Sequence, residues 1–184
     1  LEDSAYLSQL SQAYGMDTAI SAQRSSRPRS MGSLYWQLND AWTSISWSSI
    51  DYLGNKKALH YKLSEIYAPI LLGLDIKGRD LYDVWVSNDL QRDIDGRVRI
   101  IVEDMEGNQM FAFSEKADVK ANSCYRLPNK VNINTLNKKK SECYARIIFM
   151  EDDTILSERI HFFTYPKDLE LIETEINPNI NFKD

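Results

Sequence analysis

The sequence has few of the residues that form disulfide bonds or bind metal ions, and it has no long apolar run. It has two cysteines and two histidines in 184 residues, so at most one disulfide bond can form, and the sequence does not require it. No apolar run approaches the about 20 residues that a membrane-spanning helix needs. A net charge of −5 without a dominant basic patch argues against a nucleic-acid partner. We therefore predict neither a membrane nor a nucleic-acid partner.

The sequence also lacks the short motifs that announce a cofactor or a metal. It contains no glycine-rich phosphate loop and no nucleophile elbow. His161 has no His or Cys at zinc-ligand spacing, and His60 is interpreted as a packed helix residue. The prediction is that the chain holds no cofactor and no metal. Its hydrophobic fraction of 43% and charged fraction of 27% are typical of a globular protein.

The first third of the chain places an aromatic segment between two helices. Apolar residues at near-helical spacing predict one helix from about Ser4 to about Ser25 and another over residues 56–67. Between them, residues 32–38 are short, apolar and aromatic, which predicts a strand buried on both faces. The arginines at the end of the first helix are expected to face solvent and complement the helix dipole; they are Arg24, Arg27 and Arg29.

Three of the four tryptophans lie in this segment, at Trp36, Trp42 and Trp47, with serines between them. An aromatic face can stack on the C–H face of a sugar, and hydroxyls can bond its edges, which makes carbohydrate the candidate ligand. Simpler interpretations stay open: Trp36 could be core, Asp40 could cap the turn that Asn39 and Asp40 begin, and Trp47 could pack the loop on a helix.

From Ile70 onward, helical spacing gives way to short alternating runs. Seven such runs with regular turns predict an immunoglobulin-like β-sandwich. Cys124 and Cys143 stand beside these runs, and nothing in the pattern brings their strands together, so they need not be bonded. The predicted strands cover residues 70–76, 81–87, 97–104, 109–113, 123–127, 143–150 and 155–163.

The aromatic segment also carries a family resemblance. Tyr-Trp-Gln-Leu-Asn-Asp-x-Trp from Tyr35, Ser-Trp-Ser-Ser-Ile-Asp-Tyr from Ser46 and Lys-Ala-Leu-His-Tyr from Lys57 resemble the last strand, loop and helix of the catalytic barrel of glycoside hydrolase family 2 β-mannosidases. Neighbouring specificities share much of this strand: β-galactosidase, β-glucuronidase and exo-β-glucosaminidase. A non-catalytic carbohydrate-binding or interaction module is the other alternative.

The resemblance implies a mainly β fold with an α/β N-terminal piece. Residues 1–68 would be the truncated last unit of a (β/α)8 barrel, 69–165 a seven-stranded immunoglobulin-like sandwich, and 166–184 a linker toward a further domain. The parent would be a retaining, exo-acting hydrolase that removes terminal β-linked mannose. Both catalytic glutamates would lie upstream of residue 1, so no catalytic residue is assigned here and the chain alone is expected to be inactive.

The resemblance further implies which residues meet the sugar. Trp36 would be the platform under the sugar at the cleavage point, and the remaining predicted substrate-binding residues are Asn39, Asp40, Trp42 and Trp47. A non-proline cis peptide after Trp36 is expected in the complete barrel, and less so in a chain that has lost most of it. The barrel remnant could self-associate. A periplasmic, secreted or lysosomal-type compartment is suggested by the resemblance only.

Overall fold

A computed structural model describes residues 2–136 and 138–173. The chain begins with α1 (Glu2–Ser25), continues through an aromatic segment to α2 (Ala58–Ile66), and then forms seven strands. Short 3-10 turns cover Ile133–Leu136, Lys140–Glu142 and Pro166–Asp168. The strands are β1 (Ile70–Ile76), β2 (Leu81–Asn88), β3 (Ile94–Asp104), β4 (Gln109–Val119), β5 (Ser123–Asn132), β6 (Cys143–Glu151) and β7 (Thr154–Phe162).

The strands form two antiparallel sheets, with orders β1-β2-β5 and β4-β3-β6-β7. Alternation along each strand sends one set of side chains between the sheets. On β2 these are Tyr82, Val84 and Val86, which are buried with partners such as Ile100 and Phe149 from the other sheet. The predicted seven-stranded, mainly β architecture is confirmed, and several strands extend beyond their predicted bounds.

The outer face of the three-stranded sheet is covered as well. Leu71 and Trp85 point away from the sandwich core yet are 2% and 1% exposed, and α1 contacts both β1 and β2. A smaller core joins the helices, with Ile20 of α1 against Leu59 and Leu63 of α2. The helix pair is therefore attached to the sandwich through a buried apolar layer.

Arginines reinforce this attachment and correct a prediction. Arg24 is 4% exposed, and its guanidinium donates to the carbonyls of Ile66 and Ala68 at 2.7 Å each. Arg24 and Arg27 both pair with Asp89 at 2.9 Å. The expectation that these arginines face solvent is wrong for Arg24 and Arg27, because the carbonyls after α2 and a sandwich carboxylate meet the helix end there. Arg29 is exposed as predicted.

The predicted strand at residues 32–38 does not form. Leu34 and Trp36 are 100% and 74% exposed, so burial on both faces is wrong. An apolar run becomes a strand only when neighbours complete its hydrogen bonds. Here the backbone bonds come at the end of the run, where the carbonyls of Gln37 and Leu38 accept from Ser49 and Ile50, beside an isolated parallel bridge at Asn39. The peptide bond between Trp36 and Gln37 is cis, the geometry implied for the complete barrel.

The two cysteines are free, as the sequence allowed. Cys124 is half-buried on β5 and Cys143 is buried at the start of β6. Burial raises the pKa of the Cys124 thiol to about 11, so this thiol is protonated at neutral pH. Of the proposed linker, residues 174–184 lie outside the described residues.

Candidate carbohydrate-binding segment

The segment between the helices is held by backbone pairing of its two arms. Ser49 N donates to Gln37 O at 3.0 Å, and Ile50 N donates to Leu38 O at 2.8 Å. Asp40 N returns a bond to Ile50 O at 3.1 Å. Residues 37–40 and 49–50 thus lie side by side, and residues 41–48 form a loop beyond them.

Aromatic rings project from this frame into solvent. Trp36, Trp42 and Trp47 are 74%, 71% and 61% exposed, and Tyr52 is 55% exposed. Asn39 is also exposed, with its amide nitrogen donating to Asp40 O at 3.2 Å. Four of the five predicted site residues therefore present accessible side chains on one short stretch of chain. Their contact with a sugar remains a prediction.

Asp40, the fifth predicted residue, is buried with 7% exposure. Ser46 Oγ donates to one carboxylate oxygen, and Ser48 Oγ donates to the other at 2.7 Å. Lys57 Nζ approaches the second oxygen at 3.3 Å and donates to Ser48 Oγ at 2.8 Å. The hydroxyls of Ser46 and Ser48, followed by Lys57, lower the pKa of Asp40 below its ordinary value. Asp40 is thus a carboxylate at neutral pH.

The hydroxyl of Ser49 links the paired arms of the segment to α2. Ser49 Oγ donates to Leu38 O at 3.0 Å, and it lies 3.0 Å from Tyr35 OH and 3.4 Å from His60 Nδ1. The packed role predicted for His60 agrees with this position. From the sequence, the serine hydroxyls were candidates for hydrogen bonds to a sugar. In the structure, the hydroxyls of Ser46, Ser48 and Ser49 are hydrogen-bonded within the protein.

Two glutamine side chains of α1 form hydrogen bonds with the backbone of the aromatic segment and of the start of α2. Gln12 Nε2 donates to Trp47 O at 2.7 Å, and the backbone N–H of Ala58 donates to Gln9 Oε1 at 3.2 Å. The second bond satisfies one of the free N–H groups at the start of α2. Gln9, Gln12 and Lys57 were missed at the sequence level because no local pattern joins them to their partners, which lie 9 to 49 residues away.

The segment holds two carboxylates, Asp40 and Asp51, and each is hydrogen-bonded within the segment. Asp51 Oδ1 accepts the backbone N–H groups of Leu53 at 2.9 Å and Asn55 at 2.8 Å, closing a turn. The side chain of Asn55, followed by its backbone N–H, lowers the pKa of Asp51. A retaining glycosidase needs two carboxyl groups about 5 to 5.5 Å apart. Both carboxylates therefore stabilise the loops to which they belong.

Residues 2–136 and 138–173 contain neither a metal-binding cluster nor a membrane-spanning helix. No cluster of three or more His, Cys, Asp or Glu side chains there could hold a metal ion. No helix within those ranges is both long and apolar enough to cross a membrane.

Comparison with known proteins identifies the class. Residues 80–168 match the family model of the Mannosidase Ig/CBM-like domain. The chain is 38% identical to the β-mannosidase of Capra hircus over half of this chain, and 29% identical to that of Mus musculus over 99% of it. These matches cover 11% and 22% of the two relatives, so the chain spans a small part of their length.

Solved structures agree in fold. A β-D-mannosidase from Dictyoglomus thermophilum superposes with a TM-score of 0.81 at 24% identity, covering 90% of this chain and 20% of that one. The exo-chitosanase CsxA of Amycolatopsis orientalis gives 0.69 at 18% identity, covering 84% and 18%. The fold is that of a glycoside hydrolase family 2 domain. Within that class, the matches in sequence and in fold support a β-mannosidase-like piece.

Proposed function

We propose that the chain belongs to a longer, retaining, exo-acting β-mannosidase that removes terminal β-linked mannose from oligosaccharides without a cofactor. The observation that carries this proposal is the similarity to the Mus musculus β-mannosidase, which extends over 99% of the chain. It therefore includes the aromatic segment as well as the sandwich. A sandwich alone would support only a shared accessory domain.

In this proposal the aromatic segment is one wall of the sugar pocket. Trp36 is the platform beneath the sugar at the cleaved bond, and Trp42 and Trp47 offer further stacking faces. Exposed indoles have the large apolar faces that C–H groups of a sugar can cover. Asn39 supplies a hydrogen-bonding amide at the same edge, beside the buried Asp40.

The division of labour follows the predicted domains. Residues 1–68 are the end of the barrel, 69–165 are a structural sandwich and 166–184 lead toward another domain. Side chains such as Leu34 and Ile45, 100% and 107% exposed, support this division, because apolar residues of this kind would be covered in a complete barrel. Until covered, they form a surface through which copies of the chain could associate.

The first experiment tests the parent activity. The full-length gene product is assayed on aryl β-mannoside, β-galactoside, β-glucuronide and β-glucosaminide. We expect β-mannoside to be cleaved with the highest kcat/KM. Preference for another glycoside would assign the chain to one of the alternative family 2 specificities. Absence of turnover on all four would contradict the proposed class of activity.

The second experiment tests the wall. Trp36→Ala in the full-length product should lower kcat/KM by about 100-fold or more, since a lost stacking platform misplaces the reacting sugar. Tyr165→Ala removes an aromatic ring that is 62% exposed outside the segment, and it should leave kcat/KM within twofold. Equal effects of the two substitutions would count against Trp36 as the platform.

The alternative from another class is a non-catalytic carbohydrate-binding or interaction module. One feature of the sandwich favours it: Tyr144 and Phe162 are cross-strand partners with ring centroids 6.1 Å apart, and Phe162 is 42% exposed. Glycan binding by the chain alone that Tyr144→Ala abolishes and Trp36→Ala preserves would support this alternative.

A further inference from the structure

Asp40 and Lys57 form a buried ion pair at the two ends of the aromatic loop. Their side chains are 4% and 14% exposed, and Lys57 Nζ lies 3.3 Å from Asp40 Oδ2. Asp40 is the last residue of the paired arm 37–40, and Lys57 directly precedes α2. The pair therefore closes residues 41–56 into a loop anchored on the helix.

Two serines bring the centre of the loop to this ion pair. Ser46 and Ser48 both donate to the Asp40 carboxylate, and Ser48 Oγ also accepts a bond from Lys57 at 2.8 Å. Ser48 is fully buried. A buried charge is costly unless it is paired and hydrogen-bonded, so these hydroxyls belong to the arrangement that makes the buried pair stable.

Trp47 lies between the two serines. Its carbonyl accepts a hydrogen bond of 2.7 Å from Gln12 Nε2 of α1. The backbone of Trp47 is therefore held by this bond and by the two neighbouring serines, which are bonded to Asp40. Its ring is nevertheless 61% exposed. A rigidly held backbone with an exposed indole is the arrangement expected of a contact that must be in place before its ligand arrives.

We propose that Lys57 and Asp40 are positioning residues that fix the Ser46–Ser48 backbone and so hold the indole of Trp47 toward the sugar. This inference rests on the proposed function and deepens it. Asp40 then serves the site through the loop, and its predicted direct contact with the sugar becomes the alternative that the test must separate. Lys57 is thereby added to the site as a supporting residue, although its side chain is largely buried and the tryptophans are exposed.

The first test uses this chain labelled with 15N-tryptophan and follows the indole N–H signals by NMR. Lys57→Met should shift the Trp47 signal and lower its heteronuclear NOE, because the loop loses its anchor. Lys56→Met removes the neighbouring exposed lysine and should leave the signal unchanged. Lys57→Arg, which keeps the charge, should restore most of the order. The indole signal of Trp85, buried in the sandwich region, reports whether each variant is folded.

The second test measures kinetics in the full-length product. Lys57→Met and Asp40→Asn should each raise KM for an aryl β-mannoside about tenfold while kcat stays within twofold, as expected when a binding contact is misplaced. A fall in kcat for Asp40→Asn without any effect of Lys57→Met would assign Asp40 to direct sugar contact and overturn the positioning role.

The two tests separate the inference from the function on which it rests. An unchanged Trp47 signal in folded Lys57→Met overturns the inference, even if the full-length product is an active mannosidase. A full-length wild-type protein that cleaves none of the four glycosides overturns the proposed function, and it overturns the kinetic role of Lys57 with it. The NMR result then still decides whether Lys57 holds the loop.

Discussion

Gly73 of β1 lies opposite Trp85 of β2, and the indole of Trp85 occupies the space that a side chain at Gly73 would need. The ring is 1% exposed, and its Nε1 donates to Asp75 Oδ1 at 3.0 Å. This pair forms part of the layer on which α1 lies. A glycine is required here because a β-carbon would approach three atoms of the ring at 3.0 Å or less.

The first prediction follows from that approach. Gly73→Ala should lower the free energy of unfolding by about 1 to 3 kcal/mol, the usual cost of overpacking a well-filled core. Gly15→Ala is the matched control, because a β-carbon at Gly15 meets nothing within 4 Å. In the middle of α1 that change should stabilise by about 0.5 to 1 kcal/mol. Urea denaturation checks both, and a neutral Gly73→Ala would contradict the packing described.

The second prediction concerns the polar part of the same attachment. Arg24→Met removes the donor to Ile66 O and Ala68 O and the partner of Asp89. We expect a loss of about 1 to 3 kcal/mol, the usual cost of leaving buried hydrogen-bonding groups without a partner, since Asp89 is partly exposed and keeps Arg27. Arg29→Met changes an exposed arginine of the same stretch and should stay within about 0.5 kcal/mol. Similar thermal shifts for both variants would show that Arg24 adds little.

The third prediction is a pH dependence centred on His161. Burial, followed by the charge of Arg159, lowers the pKa of His161 to about 4, against the weaker opposing effect of Asp17 and Asp75. The ring packs on Tyr82 and Phe163, with centroids 6.1 and 5.8 Å away. Because the folded pKa lies below the unfolded value of about 6.5, the unfolded chain takes up the proton first as the pH falls.

Stability should therefore decrease between pH 6.5 and about 4, and the share due to His161 can reach about 3 kcal/mol. Well above pH 6.5, from about pH 7.5, the histidine is neutral in both states and contributes no slope. His161→Phe should remove this share, which appears as the difference between the two unfolding curves measured across the range. Parallel curves for the wild type and the variant would exclude His161 as the source.

The fourth prediction tests the proposed domain division by limited proteolysis. The first cuts should fall between residues 28 and 57, where regular hydrogen bonding is sparse and exposed side chains are frequent. Residues 81–163 should resist, since both sheets are paired throughout. Mass spectrometry of the early fragments identifies the sites. Early cleavage inside β2 to β7 would count against the division.

The fifth prediction is that the purified chain alone does not hydrolyse an aryl β-mannoside. Its aromatic segment contains no free pair of carboxylates, since Asp40 and Asp51 are bound to their own loops. Loss of catalytic groups typically removes several orders of magnitude in rate. Turnover above that of a mock purification, and retained after further chromatography, would refute the prediction.

The sequence predicted what depends on local pattern. The alternating run over residues 81–87 predicted a strand, and Val84 and Val86 of β2 are buried between the two sheets. The prediction of a strand at residues 32–38 was wrong. An apolar run indicates a preference for burial, but it does not tell which neighbouring segment supplies the hydrogen bonds. Leu34, Trp36 and Leu38 are exposed in this chain for the same reason.

The candidate site divides in the same way. The tryptophans stood out by composition alone, and their exposure agrees with a role at a surface. The links from Lys57 to Ser48 and from Gln12 to Trp47 could not be predicted, because each joins residues whose proximity is created by folding. Arg24 was mistaken for a surface charge because its carbonyl partners lie 42 to 44 residues away.

The pairing of β1 with β2 also affects how the molecule can be cut. The segment that matches the family model begins at residue 80, after β1 has ended. A gene fragment starting there would leave β2 as an open edge, and it would lack Ile70, Leu72 and Leu74 from the core. It would also strip the covering helix from Trp85. For recombinant expression, the smallest unit that can be expected to stay soluble therefore begins with α1, well before the region that the family model covers.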